Sequence, residues 1–203
     1  MIFQKNTIKN SSKGFTLIET LVSLLIFSVS IVALISITAG GVSDTNFVKK
    51  KQSAYLLAQE GVELVRNIRD TALRSEISWV TFLSDPDVAA NCVITQQNPV
   101  GCTIDSYLLA QGNSISSALS ACANNVCPEL RRETTPASQT SGFYQYMAGP
   151  DSGYTRTIKI QKVFNGHPGE KEVISEVSWE HGGNTSSVTM SEIITSWVKP
   201  IPN

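Results

Sequence analysis

From Thr20 to Val42 the chain runs for 23 residues without a charge, dominated by Leu, Val, Ile, Phe, Ser and Ala. At a helical rise of about 1.5 Å per residue such a run crosses a bilayer core of about 30 Å. It is too long for the apolar core of a cleaved secretory signal, which spans roughly 7 to 15 residues. Beyond it the pattern changes. Ala54, Leu57, Ala58, Gly61, Val62, Leu64, Val65 and Ile68 recur at spacings of three and four, with Lys, Gln, Glu and Arg between them. That is the stripe of an amphipathic helix, so the two stretches predict one helix from Phe15 to near Asp70. Gly40 and Gly41 lie where the apolar run ends. Each costs the helix about 1 kcal/mol relative to Ala, which predicts a flexible point there.

Residues from about Thr71 to Gly153 show no sustained period and carry most of the Asn, Pro, Gly and Ser. They predict a loop-rich middle region with a short helix around Ser114 to Cys122. Alternation then appears in Tyr154 to Phe164, Val173 to Trp179 and Ser187 to Val198, separated by the Gly-rich stretches Asn165 to Gly169 and His181 to Asn184. Three antiparallel strands follow from that pattern. In the second of them Val173, Val177 and Trp179 fall on one face and Glu176 and Glu180 on the other. One face is therefore buried and one wet, and the striped half of the long helix is the expected cover. The fold class is α+β, a long N-terminal helix on a C-terminal antiparallel sheet of three or four strands.

The bulk numbers narrow the function. With 203 residues, 16% of them charged, and a net charge of −1, no basic excess points to nucleic acid. The four cysteines fall as two close pairs, Cys92 with Cys102 and Cys122 with Cys127. An even count beside a membrane signal suggests two disulfides outside the cytoplasm, with their connectivity left open. The spacings fit zinc knuckles poorly. His167 and His181 each sit beside a Gly in a predicted turn, with no nucleophile or acid pair arranged around them. Asp85 and Asp87 flank Pro86 without the longer oxygen-ligand pattern of a calcium loop. Phe143, Tyr144, Tyr146 and Tyr154 form a modest aromatic group, a candidate binding surface but more simply core. Neither an enzymatic site nor a cofactor nor a metal is called for.

The stretch Lys13-Gly14-Phe15-Thr16-Leu17-Ile18-Glu19, followed directly by the apolar run, closely resembles the N-terminal signature of type IV pilins and pseudopilins. The resemblance is carried mainly by residues 9 to 39. It implies cleavage between Gly14 and Phe15 by a membrane prepilin peptidase, which also methylates the new amino terminus on Phe15. A small Gly lets the peptide backbone enter a protease site closely, and Lys9 and Lys13 hold the leader on the cytoplasmic side. Lys49, Lys50 and Lys51 flank the other end of the run, so charge counting gives almost a tie and orientation rests on the motif. Removing Lys5, Lys9 and Lys13 from the 16 basic residues leaves 13 against 17 acidic ones, a net charge of −4.

Glu19 is the chemically informative position, because a carboxylate in an apolar helix start needs a partner in lipid. Cleavage would create one in the ammonium of Phe15, and the resemblance favours the ammonium of a neighbouring subunit. The organisation expected is a leader at 1–14, a membrane and filament-core half at 15–42, an amphipathic half at 43–70, a disulfide-containing variable region at 71–153 and a sheet at 154–203. The partners implied are the peptidase, other pilin subunits and, indirectly, an assembly platform protein and ATPase. The precursor would cross the cytoplasmic membrane once with its C-terminal part outside, and the product would join an extracellular or periplasmic filament. A minor pilin is the expected role. A pseudopilin of a type II secretion or competence system, and a tethered binding module that never polymerises, are the alternatives.

Overall fold

The computed structural model describes residues 14–74, 83, 91–134, 142–167 and 169–195. The leader lysines, Asp85, Asp87 and the expected end of the last strand at Val198 lie outside them. The chain forms two compact units, Met1–Asn46 and Phe47–Asn203.

Helix α1 runs from Leu17 to Arg74, one turn beyond the expected end. Thr16 starts it, accepting the Glu19 amide on its carbonyl at 3.1 Å and on its hydroxyl at 3.4 Å, which satisfies a donor that the first turn leaves free. The helix continues through Gly40 and Gly41 without a break. In the second unit its buried residues are Ala54, Leu57, Ala58, Gly61, Val62, Val65, Ile68 and Ala72, the stripe that the three-and-four spacing predicts.

Three twelve-residue strands, β5 (Asp151–Lys162), β6 (Glu170–His181) and β7 (Asn184–Thr195), form an antiparallel meander. Its second turn consists of Gly182 and Gly183 between the paired residues His181 and Asn184, with φ of 59° and 80°. Two successive positive φ angles match the twist of a two-residue hairpin and suit glycine. Along β5 and β6 the alternation buries Tyr154, Arg156, Ile158 and Ile160, then Val173, Ser175, Val177 and Trp179.

The middle region is more ordered than its composition predicts. Four short strands, β1 (Cys102–Ile104), β2 (Leu119–Ala121), β3 (Glu129–Arg132) and β4 (Tyr144–Gln145), extend the sheet to seven in the order β2-β1-β5-β3-β4, with β6 and β7 on the other side of β5. Two short helices, α2 (Ser106–Ala110) and α3 (Ile115–Ala118), connect β1 to β2. The helix expected from Ser114 to Cys122 thus stops at Ala118, because Leu119 to Ala121 pair with β1. Asp105 caps α2, accepting from the amides of Tyr107 and Leu108, and its second oxygen takes the amide of Tyr146 at 3.1 Å.

Two apolar clusters fill the space between helix and sheet. One gathers Val65, Ile68, Ile104, Ile158, Ile160 and Val173, the other Leu57, Ala58, Leu130, Tyr154, Val177 and Trp179. On β5 the position between them belongs to Arg156, which is fully buried. Its guanidinium donates to the carbonyls of Ile104 at 2.9 Å and Leu57 at 3.4 Å and pairs with Glu60 at 3.2 Å. Tyr146 lies against the same residue, its hydroxyl donating to the Arg156 carbonyl at 3.5 Å. Burial pushes that phenol above its usual range, with Arg156 opposing the shift. At the helix surface Arg66 bridges Glu63 and Glu192 of β7, at 2.7 and 2.5 Å.

Gly61 sets the closeness of helix and sheet. A Cβ there would collide with the Ser175 hydroxyl and come within 3.3 Å of Arg156 Cδ. Gly61→Ala should therefore lower stability by about 1 to 3 kcal/mol despite the gain in helix propensity. Ser175→Ala in the same chain should restore part of the loss, since it removes the struck hydroxyl, which has no partner among the described residues. Thermal unfolding of the two single variants and the double variant reads this coupling, and strictly additive effects would contradict the contact.

Candidate functional site

Gly14, Phe15 and Thr16 precede the helix in irregular backbone, and among the described residues beyond its chain neighbours none lies within 4 Å of where a Gly14 side chain would begin. Phe15 is 74% exposed, and Glu19 lies in the first helical turn, where its negative charge is favourable to the helix dipole.

From Phe15 to Val42, sixteen large apolar side chains are exposed, none of them less than 39%. At about 25 cal/mol per Å², and roughly 1.5 to 3 kcal/mol for each side chain, that surface carries tens of kcal/mol of unfavourable hydration in water. The described residues supply no cover, since the most apolar 18-residue window of the helix is entirely unburied among them. Its hydroxyls are turned inward on the helix backbone. Thr20, Ser23, Ser28, Ser30 and Thr38 donate to carbonyls three or four residues earlier, at 2.8 to 3.1 Å. The sequence predicts back-bonding to the carbonyl four residues earlier at Thr16, Ser23, Ser28, Ser30 and Ser36; Ser23 and Ser30 make that bond, Ser28 bonds three residues earlier, and the Thr16 hydroxyl accepts the Glu19 amide instead. What remains on the outside is hydrocarbon, with a single carboxylate at Glu19. A surface of that kind is suited to lipid or to other apolar helices.

Cys92 is joined to Cys102 and Cys122 to Cys127. The first bridge is fully buried and ties the segment ahead of β1 to the core, where Ile94 and Ile160 bond along the edge of β5. The second closes a short loop between β2 and β3 around a 3-10 turn at Ala123–Asn125. Of the remaining candidates, His181 stacks on Phe47 with ring centroids 5.2 Å apart, and His167 lies in the β5–β6 connection. Tyr154 is core, Tyr144 and Tyr146 pack against its cluster, and Phe143 is exposed. Among the described residues no group of three or more His, Cys, Asp or Glu is placed to hold a metal ion. Arg156 escaped the sequence-based reading, although the alternation of β5 places it among the inward positions.

Residues 9–42 match the family described as the prokaryotic N-terminal methylation motif. No curated protein and no solved structure matches the chain. The chain thus carries the N-terminal signature characteristic of type IV pilins and pseudopilins, on the long helix and antiparallel sheet of a pilin-like α+β fold. The motif implies processing by a prepilin peptidase and assembly with other pilins, and together with the apolar helix it fits a membrane-anchored precursor.

The two disulfides differ in access, which orders their reduction. Under native conditions a mild reductant should open Cys122–Cys127 first and leave Cys92–Cys102, whose cysteines are 0% exposed, until the unit unfolds. Alkylation followed by peptide mass analysis checks this order, and simultaneous labelling of all four cysteines would contradict it. Replacing either pair by serine should cost about 2 to 3 kcal/mol.

Proposed function

We propose that the chain is the precursor of a structural pilin subunit, cut between Gly14 and Phe15, methylated on Phe15 and assembled through its N-terminal helix into a type IV pilus-like filament. The observation that carries this reading is the coincidence of the motif at residues 9–42 with an apolar helix that has no cover among the described residues. In the membrane lipid covers the helix, and in a filament neighbouring helices do. The role is architectural rather than catalytic. Residues 1–14 serve as leader, 15–42 as membrane anchor and filament core, 43–70 as the helix half that carries the sheet, 71–153 as the variable region and 154–203 as the sheet. Its size supports a minor pilin, with the sheet-bearing unit outside the cytoplasmic membrane before assembly. A platform protein and an ATPase would drive extraction.

In this reading cleavage generates an ammonium at Phe15, four positions from Glu19. Once helices surround it, the Glu19 carboxylate loses water and needs a cation. The ammonium of the adjacent subunit can supply it, and an ion pair in a low dielectric fixes the axial register of one helix against the next. Glu19 is suited to that part because the next charged residue along the helix is Asp44.

Intact mass from cells with and without the peptidase tests the cut directly. The expected product begins at a methylated Phe15 and vanishes when the peptidase is absent, and a chain that keeps Lys13 in both strains would refute the proposal. Glu19→Ala should still be cut and should leave the Phe47–Asn203 unit folded by circular dichroism. Its recovery in sheared filaments should fall at least ten-fold, since removing one partner of a buried ion pair costs about 3 to 5 kcal/mol.

A further inference from the structure

The lysine run Lys49 to Lys51 has no part in cleavage or helix assembly, yet it sits at the flank of the span where positive charge is least expected. In the folded unit Lys49 and Lys50 line an open cleft of about 300 Å³, together with Arg132 of β3, Tyr144 of β4, and Asp151 and Tyr154 of β5. Its walls are tied together. The Tyr154 hydroxyl donates to the Lys50 carbonyl at 3.2 Å, and Lys50 Nζ donates to the Glu180 carbonyl at 2.9 Å. The Arg132 guanidinium lies over the Tyr144 ring, 5.6 Å from its centroid, and the Arg132 amide donates to the Pro150 carbonyl at 3.0 Å. Gly149 makes that last approach possible, since at its φ of 97° a Cβ would stand 2.7 Å from the Arg132 carbonyl.

The lining carries three cations and one carboxylate. That carboxylate, Asp151, is engaged by Arg131 at 3.3 Å, whereas Lys49 and Arg132 have no acidic partner among the described residues. A guanidinium oriented by an aromatic ring, a second free cation and neighbouring hydroxyls are a donor set for a tetrahedral oxyanion. The guanidinium can offer two parallel N–H groups and the ammonium a point charge. Burial holds the Tyr154 phenol above its usual range, so it stays a neutral hydroxyl beside the anion.

We propose that this cleft binds a phosphate ester, and that in the membrane-anchored precursor the group that reaches it is the headgroup of an anionic phospholipid. The source follows from chain length and rests on the prepilin reading. Lys49 follows Val42, the last apolar residue of the run, by seven positions. Seven residues span at most ~25 Å even when fully extended, so the cleft stays within reach of the headgroup layer at that end of the span. Headgroup binding would hold the folded unit at the membrane surface until the subunit leaves the bilayer.

The test uses the full chain in zwitterionic micelles, with amide shifts of Arg132, Tyr144 and Ser152 followed by NMR during titration. The probes are dihexanoyl phosphatidylglycerol, dihexanoyl phosphatidylcholine, glycerol phosphate and inorganic phosphate. Saturable shifts with phosphatidylglycerol, at least ten-fold tighter than with phosphatidylcholine, are expected. Arg132→Gln and Lys49→Gln should each weaken them ten-fold, while Lys162→Gln, the same charge change at an exposed site outside the cleft, should leave them within two-fold. Equal weakening by all three variants, or shifts that never saturate, would overturn the site in favour of diffuse surface charge. Glycerol phosphate or inorganic phosphate binding as tightly as the lipid would overturn the headgroup as source while upholding the phosphate site. Intact mass of the protein from peptidase-positive cells separates the two proposals. A chain cut at Gly14 that fails to bind removes the cleft alone, and an uncut chain removes the prepilin reading whatever the titration shows.

Discussion

A helix that is apolar all the way round cannot be covered by a single sheet, because a sheet buries only the stripe that faces it. The residues from Leu17 to Val42 form such a helix, with large side chains exposed along it. Only a surrounding medium can remove that surface from water, whether lipid or a ring of similar helices. The other features of the N-terminal unit follow from this constraint. Hydroxyls that would be costly in hydrocarbon are bonded back to the helix, and the carboxylate of Glu19 sits in the first turn, where a cut at Gly14 would bring a new positive charge beside it.

The second unit solves a different problem with the same helix. Here the apolar residues narrow to a stripe, and the stripe meets the inward face of β5 and β6. Close approach depends on Gly61, and the contact is divided by Arg156, whose two Nη groups reach carbonyls of the helix and of β1 while its Nε has no partner among the described residues. A buried guanidinium gains little net stability, since its desolvation offsets its hydrogen bonds, but it disfavours any register that leaves it unpaired. Glu60, Leu57 and Ile104 together define the arrangement in which Arg156 is served. The short strands beside β5 have few ladder bonds of their own, and the buried Cys92–Cys102 bridge ties their start to the core.

These two solutions also divide the chemistry. Residues 15–42 carry one charged side chain, Glu19, among many apolar groups, a surface suited to lipid or to other apolar helices. The folded unit has a wet surface, and there the grouping of Lys49, Arg132 and the tyrosines produces local positive charge on a chain whose net charge is −1. Net charge says little about such a cleft, because a site responds to charges within about a Debye length, roughly 10 Å, and not to the sum over the molecule.

Much of this was legible in the residues themselves. The uncharged run, the three-and-four stripe, the alternation of β5 to β7 and the paired glycines at 182 and 183 are local signals, each repeated over one helix face, one strand or one turn. The Gly14 to Glu19 motif is likewise contiguous, so the proposed cleavage and assembly positions needed no fold to be found. Tertiary structure alone decided the rest. Strands of two to four residues are too short to show a period; β1 and β3 form on an edge offered by β5, far along the chain, and β2 and β4 form on β1 and β3 in turn. Arg156 became a core residue through partners roughly 50 to 100 positions away, and the cleft brings a helix and three strands together. Periodicity records which side of an element avoids water; it holds no record of which distant element will cover that side.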